Sequence, residues 1–168
     1  MAANRKTFPA LVGTSAGMAV GRVRPCGVNT LHVHPRGAEL QLVVEGRLVT
    51  EMVPENGVVV SEADGRARVV RNTVGPFQMT PFYQGSVHAQ FNPDCDGDAV
   101  FVAAFSSDDF GAGQVVNETV AMGDEIVLAS FGPGLARAEL LDGVRAGVPK
   151  SIALGVEACL KKCGIGKR

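Results

Sequence analysis

The chain has 168 residues, with 16 Lys and Arg against 17 Asp and Glu and a formal net charge of −1. That balance leaves no basic excess for nucleic acid and no charge block for a disordered tail, and no apolar run reaches the length of a membrane-spanning helix. The length suits one domain with a substantial core, and 21 Gly against 9 Pro and 1 Tyr favours a turn-rich β protein.

The N-terminal stretch "MAANRKTFPALVGTSAGMAV" carries Arg5 and Lys6, but Gly, Thr and Ser interrupt its apolar residues, so no signal peptide is predicted. From about residue 8 to about residue 107 the pattern is short strands and turns. The runs "QLVVEGRLVTEMV", "GVVVSE", "ARVVRN", "VHAQF" and "AVFVAAF" are separated by "PRG", "PENG", "EADG" and "NPDCDGD". Those turns hold residues that preset φ or accept positive φ. Asn56-Gly57 and Asp64-Gly65 predict hairpins. Many short strands at this spacing predict a sandwich or barrel.

Within that region "NTLHVHPRGAEL" places His32 and His34 one residue apart. In an extended chain both imidazoles then face the same side. Glu39 follows the Pro35-Arg36-Gly37 turn and can point back towards them. The third and last histidine, His88, lies in "YQGSVHAQFN" after a Gly-centred turn. If the two segments pair antiparallel, three imidazoles and one carboxylate converge. Such a set leaves open positions on a metal that prefers six ligands, which suits Mn or Fe, with Ni, Cu and Zn as competitors by raw affinity.

After about residue 109 helical spacing takes over. "DEIVLAS" predicts a helix with Asp124 as N-cap, and "GLARAELLDGVR" places Leu135, Leu140, Leu141 and Val144 at helical intervals. In "SIALGVEACLKKCG", Ser151 is the expected N-cap and Gly164 the stop, with Ile152, Val156, Cys159, Leu160 and Cys163 on one face. The chain therefore reads as one domain over residues 1–168: a barrel at about 8–107 and short helices at about 120–164.

These motifs resemble a known family. "CGVNTLHVHPRGAELQLVVEGRL" is similar to the first cupin motif in its germin form, and "QGSVHAQFN" to the second, through Gly85, His88 and Asn92. "AVFVAAFSSDDFG" and "SIALGVEACLKKCGI" further resemble fungal germin-like proteins of the spherulin type. The resemblance implies an all-β fold, the cupin double-stranded jelly-roll β-barrel, and a Mn-type metal held by His32, His34, Glu39 and His88. Asn29 matches an Asn that lines the substrate pocket of oxalate-degrading germins; its other reading is a cap for the turn before the strand. Phe77 and Tyr83 stand where the second motif has Gly and Pro, and Phe110 stands in a turn that is commonly Asn-Pro-Gly or Asp-Pro-Gly. If these rings cover the barrel mouth, they disfavour a small dianion.

Other residues have plainer readings. Gln90 shares strand parity with His88, so it lines the cavity or sits on the strand as a polar face residue. Asn117 to Thr119 form a glycosylation sequon of a kind that arises often by chance. Cys26, Cys95, Cys159 and Cys163 are too scattered for a zinc ribbon. Cys159 and Cys163 are most simply buried thiols. The antiparallel register of the histidine strands brings Cys26 near Cys95, and a disulfide there implies an oxidising compartment.

Three functions are compatible with these residues. One is a metal-dependent oxidoreductase on a small oxygen-rich molecule, with oxalate or superoxide as the substrates the resemblance implies. The second is a secreted wall, spore or storage protein without catalysis. The third is an intracellular biosynthetic cupin, a cyclase or isomerase. The expected partner is a small-molecule ligand, with no nucleic acid and no membrane insertion, and a homo-oligomer is allowed. The resemblance implies an extracellular location, with the cytoplasm as the alternative.

Overall fold

The computed structural model describes residues 1–63, 65–132, 138–149, 151–153 and 155–166. Eleven strands occur in these residues: β1 (Ala2–Ala3), β2 (Gly17–Val23), β3 (Val28–Val33), β4 (Glu39–Glu45), β5 (Leu48–Val53), β6 (Val70–Val74), β7 (Met79–Phe82), β8 (Val87–Phe91), β9 (Ala99–Phe105), β10 (Gly113–Gln114) and β11 (Ile152–Ala153). Four helices follow or interleave with them: α1 (Val115–Val120), α2 (Asp124–Phe131), α3 (Ala138–Gly147) and α4 (Glu157–Cys163).

Alternation decides which residues face inward. On β9, Ala99, Phe101, Ala103 and Phe105 are buried, and on β4 Glu39, Gln41 and Val43 are buried while Leu40 and Val44 face out. Two antiparallel sheets result. One runs β1-β2-β9-β4-β7, and the other runs β10-β3-β8-β5-β6 with β11 added alongside β3. Val23, Val43, Leu48, Val74, Phe101 and Phe105 pack between them as the apolar core. This is the jelly-roll barrel expected from the motifs. The run "QLVVEGRLVTEMV" holds two strands in different sheets, β4 and β5, because the chain crosses between layers at Gly46.

Several local expectations are corrected. "GVVVSE" is not a strand: residues 54–69 form an excursion between β5 and β6 with one isolated bridge, Val59 to Ala67. No neighbouring strand buries this segment, and Val60 is exposed. The Asn56-Gly57 turn joins no two named strands; at the second predicted hairpin Val59 bridges Ala67, with the Val60 N–H donating to the Arg66 carbonyl at 3.0 Å and the Arg68 N–H to the Val58 carbonyl at 2.8 Å, while Asp64 itself lies outside the described residues. Gly123, not Asp124, is the N-cap of α2, and Asp124 is its first residue, paired with Arg145 at 2.7 Å. Leu141 and Val144 of α3 pack with Val120 and Val127, whereas Leu140 is exposed; Leu135 lies outside the described residues.

Ser151 does not cap α4. Its carbonyl instead accepts hydrogen bonds from the Thr30 backbone N–H at 3.1 Å and the Thr30 hydroxyl at 2.7 Å, leading Ile152–Ala153 into β11. Gly155, at φ +109°, then prevents the helix from extending upstream, so α4 starts at Glu157. Gly164 ends it in the left-handed conformation, as expected.

The disulfide expectation is also corrected. Cys26 bonds Cys159 and Cys95 bonds Cys163. Cys159 and Cys163 do share one face of α4, but that face lies against the barrel turn carrying Cys26 and the loop carrying Cys95. Each barrel cysteine thus meets a helix cysteine before it can meet the other. Each bond closes a long loop, 133 and 68 residues in sequence separation, and in the chain-entropy model contributes roughly 4–5 kcal/mol.

Candidate metal centre

Near the end of β3 the period of two turns His32 and His34 to the barrel interior and Leu31 to the outside. Register sets His32 directly opposite His88 on β8. The turn at Pro35 to Gly37 reverses the chain, and Glu39 opens β4 on the facing sheet. All four side chains are buried, and one ligand atom from each lies within 4.8 Å of the others. The structure therefore brings together the full predicted set.

Each imidazole is aimed by its second nitrogen. Nδ1 of His32 lies 2.7 Å from the Thr30 carbonyl, Nδ1 of His34 lies 2.6 Å from the Gly111 carbonyl, and Nδ1 of His88 lies 2.9 Å from the Ser86 carbonyl. A carbonyl only accepts, so each Nδ1 carries the proton and each Nε2 turns inward, the arrangement that orients metal-binding histidines. Aromatic rings hold the imidazoles from behind. His88 stacks on Phe82 with centroids 4.2 Å apart, and His34 meets Phe105 edge-on at 4.6 Å. Phe110 stacks on Phe105 at 3.7 Å, so it packs inside the cavity wall.

The donor set fits a cation. Nε2 of His34 lies 3.0 Å from Oε2 of Glu39, and Nε2 of His88 lies 3.4 Å from the same oxygen. Neutral imidazoles with Nδ1–H offer only lone pairs here, and a carboxylate is acceptor-only. Such a buried cluster requires positive charge at its centre, from a metal or from protons. In the metal-free protein, burial and then the neighbouring His88 push His32 down to about 4. Burial alone would raise the Glu39 carboxyl, but where protons supply that positive charge and make Nε2 of His34 and His88 donors, their hydrogen bonds outweigh it and hold Glu39 at about 2. Buried His32, His34, Glu39 and His88 can hold a metal.

A cavity of about 300 Å³ opens onto His32, His34 and Glu39. Asn29, Gln114 and Ser151 supply polar lining, and Phe101, Phe105, Phe110 and Ile152 supply apolar lining, with no Lys or Arg among the described residues. Asn29 reaches this cavity although it is an odd number of residues from His32. A bulge in β3 between the two re-aims it. Gln90 stands behind it, 1% exposed, its Oε1 accepting from Asn29 Nδ2 at 2.9 Å. Phe77 and Tyr83 do not cover the mouth: they are 80% and 57% exposed, and neither lines the cavity. Phe77, at φ +62° between β6 and β7, occupies a turn that turns it to solvent.

A feature missed in the sequence lies one layer further into the barrel. Register aligns Asn29, Gln90, Thr50 and Asn72 across one sheet and Thr80, Gln41, Ala103 and Ala19 across the other. Asn72 Nδ2 donates to Thr80 Oγ1 at 3.3 Å and links the two sheets. Both amide atoms of Gln41 and Nε2 of Gln90 have no hydrogen-bond partner among the described residues. The metal layer thus sits beside a belt of uncharged hydrogen-bonding groups. The signal for Gln41 was its place two residues after Glu39, on the same strand face within the apolar run "ELQLVV".

The cupin family model matches residues 1–134. Spherulin-1A of Physarum polycephalum, which is not a fungus, is 28% identical over 164 residues, covering 98% of this chain and 62% of that protein. Germin-like protein 12-2 of Oryza sativa subsp. japonica is 32% identical over 121 residues, covering 68% of this chain and 51% of that protein. The chain thus spans between about half and 62% of these curated relatives. Among solved structures, a recombinant oxalate oxidase in complex with glycolate matches with a TM-score of 0.73 at 21% identity, over 88% of this chain and 71% of that one. Oxalate decarboxylase from Bacillus subtilis matches with a TM-score of 0.70 at 18% identity, over 92% of this chain and 36% of that one.

Proposed function

We propose that this chain, which belongs to the cupin family and resembles its germin-like, spherulin-type members, is a metal-dependent oxidoreductase for a small oxygen-donor molecule. His32, His34, Glu39 and His88 hold one divalent metal, Mn in the first place, with Fe, Ni, Cu and Zn as competitors. The observation that carries this reading is the convergence of the four buried donors, with every Nδ1 tied to a backbone carbonyl. When bound, the metal supplies a Lewis acid and an electron carrier for a coordinated carboxylate, enolate or oxygen species. Asn29, backed by Gln90, orients the ligand from the side.

Charge narrows the ligand. A divalent ion, three neutral imidazoles and Glu39 sum to +1, and among the described residues no Lys or Arg lines the cavity. A neutral or singly charged oxygen donor fits this charge better than a dianion, which leaves uncompensated negative charge in a buried site. Oxalate is the substrate suggested by the oxalate oxidase likeness, and its turnover here is expected to be weak. The two disulfides support an oxidising, extracellular setting.

A second reading, a binding protein without catalysis, is favoured by one observation. Among the described residues, the titratable side chains lining the cavity are the proposed ligands themselves, so these residues supply no separate side-chain general acid or base there. The test begins with metal analysis of wild type, His34→Ala and His88→Ala, purified without a polyhistidine tag. About one Mn per wild-type chain, lost in both variants, is expected. Unchanged stoichiometry in both removes the site. Oxalate and superoxide assays on the same wild-type sample then separate the two readings.

A further inference from the structure

The sulfurs of Cys26, Cys159 and Cys163 form one cluster, and Cys95 joins it through its bond to Cys163. Besides its bonded partner Cys95, Sγ of Cys163 lies 3.6 Å from that of Cys26 and 3.9 Å from that of Cys159. Cys26 is fully buried and Cys159 nearly so. Four sulfurs around Zn²⁺ at about 2.3 Å form a tetrahedron with edges of about 3.8 Å. Two non-bonded edges of the cluster already have that length. Once the two disulfides are opened, rotation of the cysteine side chains between staggered rotamers lets the released sulfurs move apart. Cys159 and Cys163 present two thiolates one helical turn apart, with Lys161 and Lys162 between them adding positive charge to the same helix.

We propose that, when reduced, Cys26, Cys95, Cys159 and Cys163 form a second metal site, a four-thiolate centre for Zn²⁺ or a similarly thiophilic divalent ion. It holds α4 on the barrel under reducing conditions, as the disulfides do under oxidising ones. The chemistry balances. Each disulfide takes two electrons and two protons from two equivalents of a low-molecular-weight thiol of the glutathione class, which is oxidised to its own disulfide. The four protein thiols then lose four protons as Zn²⁺ binds. Thiolate softness selects Zn²⁺ over Mn²⁺, so the two centres load with different metals. The consequence reaches the barrel cavity, because α4 follows directly on β11, and Ser151 and Ile152 form part of the cavity wall.

The test uses the full chain, reduced anaerobically with a phosphine and titrated with Co²⁺ and then Zn²⁺. Sulfur-to-cobalt charge-transfer absorption reports thiolate ligands only and is blind to the histidine site. One thiolate-bound Co²⁺ per chain, counted by its charge-transfer band and displaced by Zn²⁺, is expected, apart from any ion taken up by the histidine site. Zn²⁺ should slow alkylation of all four thiols at least 100-fold, and Cys95→Ser should weaken binding at least 10-fold. Absence of the charge-transfer band overturns the proposal. So do bands that survive Cys26→Ser/Cys159→Ser, or thiols that alkylate equally fast with Zn²⁺. Circular dichroism on the same samples excludes capture by an unfolded chain: metal uptake without folded-state ellipticity also overturns it.

Discussion

His34 and Gly111 are joined by a 2.6 Å hydrogen bond between Nδ1 and the backbone carbonyl, across 77 positions of chain. The loop that supplies this carbonyl is fastened by Arg36, whose guanidinium meets the Asp109 carbonyl at 2.9 Å and its carboxylate at 3.0 Å. Arg36 sits in the turn between His34 and Glu39, so one side chain ties two proposed ligands to the loop that aims one of them. Arg36→Ala should therefore leave the fold intact and weaken metal binding about 10-fold to 100-fold, the usual cost of losing an outer-shell support. Gly111→Ala should act similarly, because Gly111 has φ +68° and an added Cβ would lie 2.8 Å from the Arg36 guanidinium. Competition against a chelator measures both. Wild-type affinity in both variants would mean that the loop is held by other contacts.

Acid should weaken the metal-free protein in a defined window. His32 titrates at about 4 in the folded protein against 6.5 when free, so the unfolded chain takes up this proton first as pH falls. The stabilising contribution is complete above pH 6.5 and is lost between 6.5 and 4, on the order of 3 kcal/mol. Glu39, lowered from 4.5 to about 2, acts in the same direction in a lower window, complete above 4.5 and lost as pH falls towards 2. Urea midpoints of the metal-free chain should fall steadily from pH 6.5 downward. A flat profile between pH 7 and 4 would show that His32 keeps an ordinary pKa.

The proposed ligands were legible because period two and a turn are local rules: His32, His34 and Glu39 need only extended chain and a reversal at Pro35 to Gly37. His88 needed one further assumption, antiparallel pairing, and the register supports it. The cysteines were misread because their pairing depends on where α4 docks, and no local pattern places a helix on a barrel. Asn29 was placed by resemblance alone, since a bulge breaks the alternation that sequence reading relies on. The positions of Phe77 and Tyr83 as substitutions for turn residues were legible; their direction was not, because the turn geometry decides whether a ring points in or out.

Phe77 follows from that last point. A non-glycine residue at φ +62° carries steric strain of about 1 kcal/mol, and a ring 80% exposed recovers little by packing. Phe77→Gly should raise stability by about 0.5–1 kcal/mol by relieving that strain, a gain trimmed by the greater freedom of glycine in the unfolded chain. Metal content should not change. Denaturant unfolding with parallel metal analysis checks both. Lost metal would mean that the ring supports the centre after all.

Gln41 offers the sharpest test of the polar belt. It is fully buried on β4, two residues from Glu39, and neither amide atom has a partner among the described residues. A buried amide without partners is costly, and an apolar side chain of similar size removes that cost. Gln41→Leu should therefore leave stability unchanged or raise it by about 1 kcal/mol, with the metal retained. Its effect should fall on the ligand: dihydroxyacetone, a neutral oxygen donor, should bind the Mn-loaded variant at least 5-fold more weakly than wild type. Calorimetric titration gives the affinity and thermal unfolding gives the stability. If the variant instead loses more than about 2 kcal/mol, the amide is satisfied in the folded protein through buried water, and the belt is part of the scaffold. If stability rises and dihydroxyacetone binds as before, Gln41 lies outside the ligand's reach, and the specificity of the cavity rests on Asn29 and the charge of the metal site.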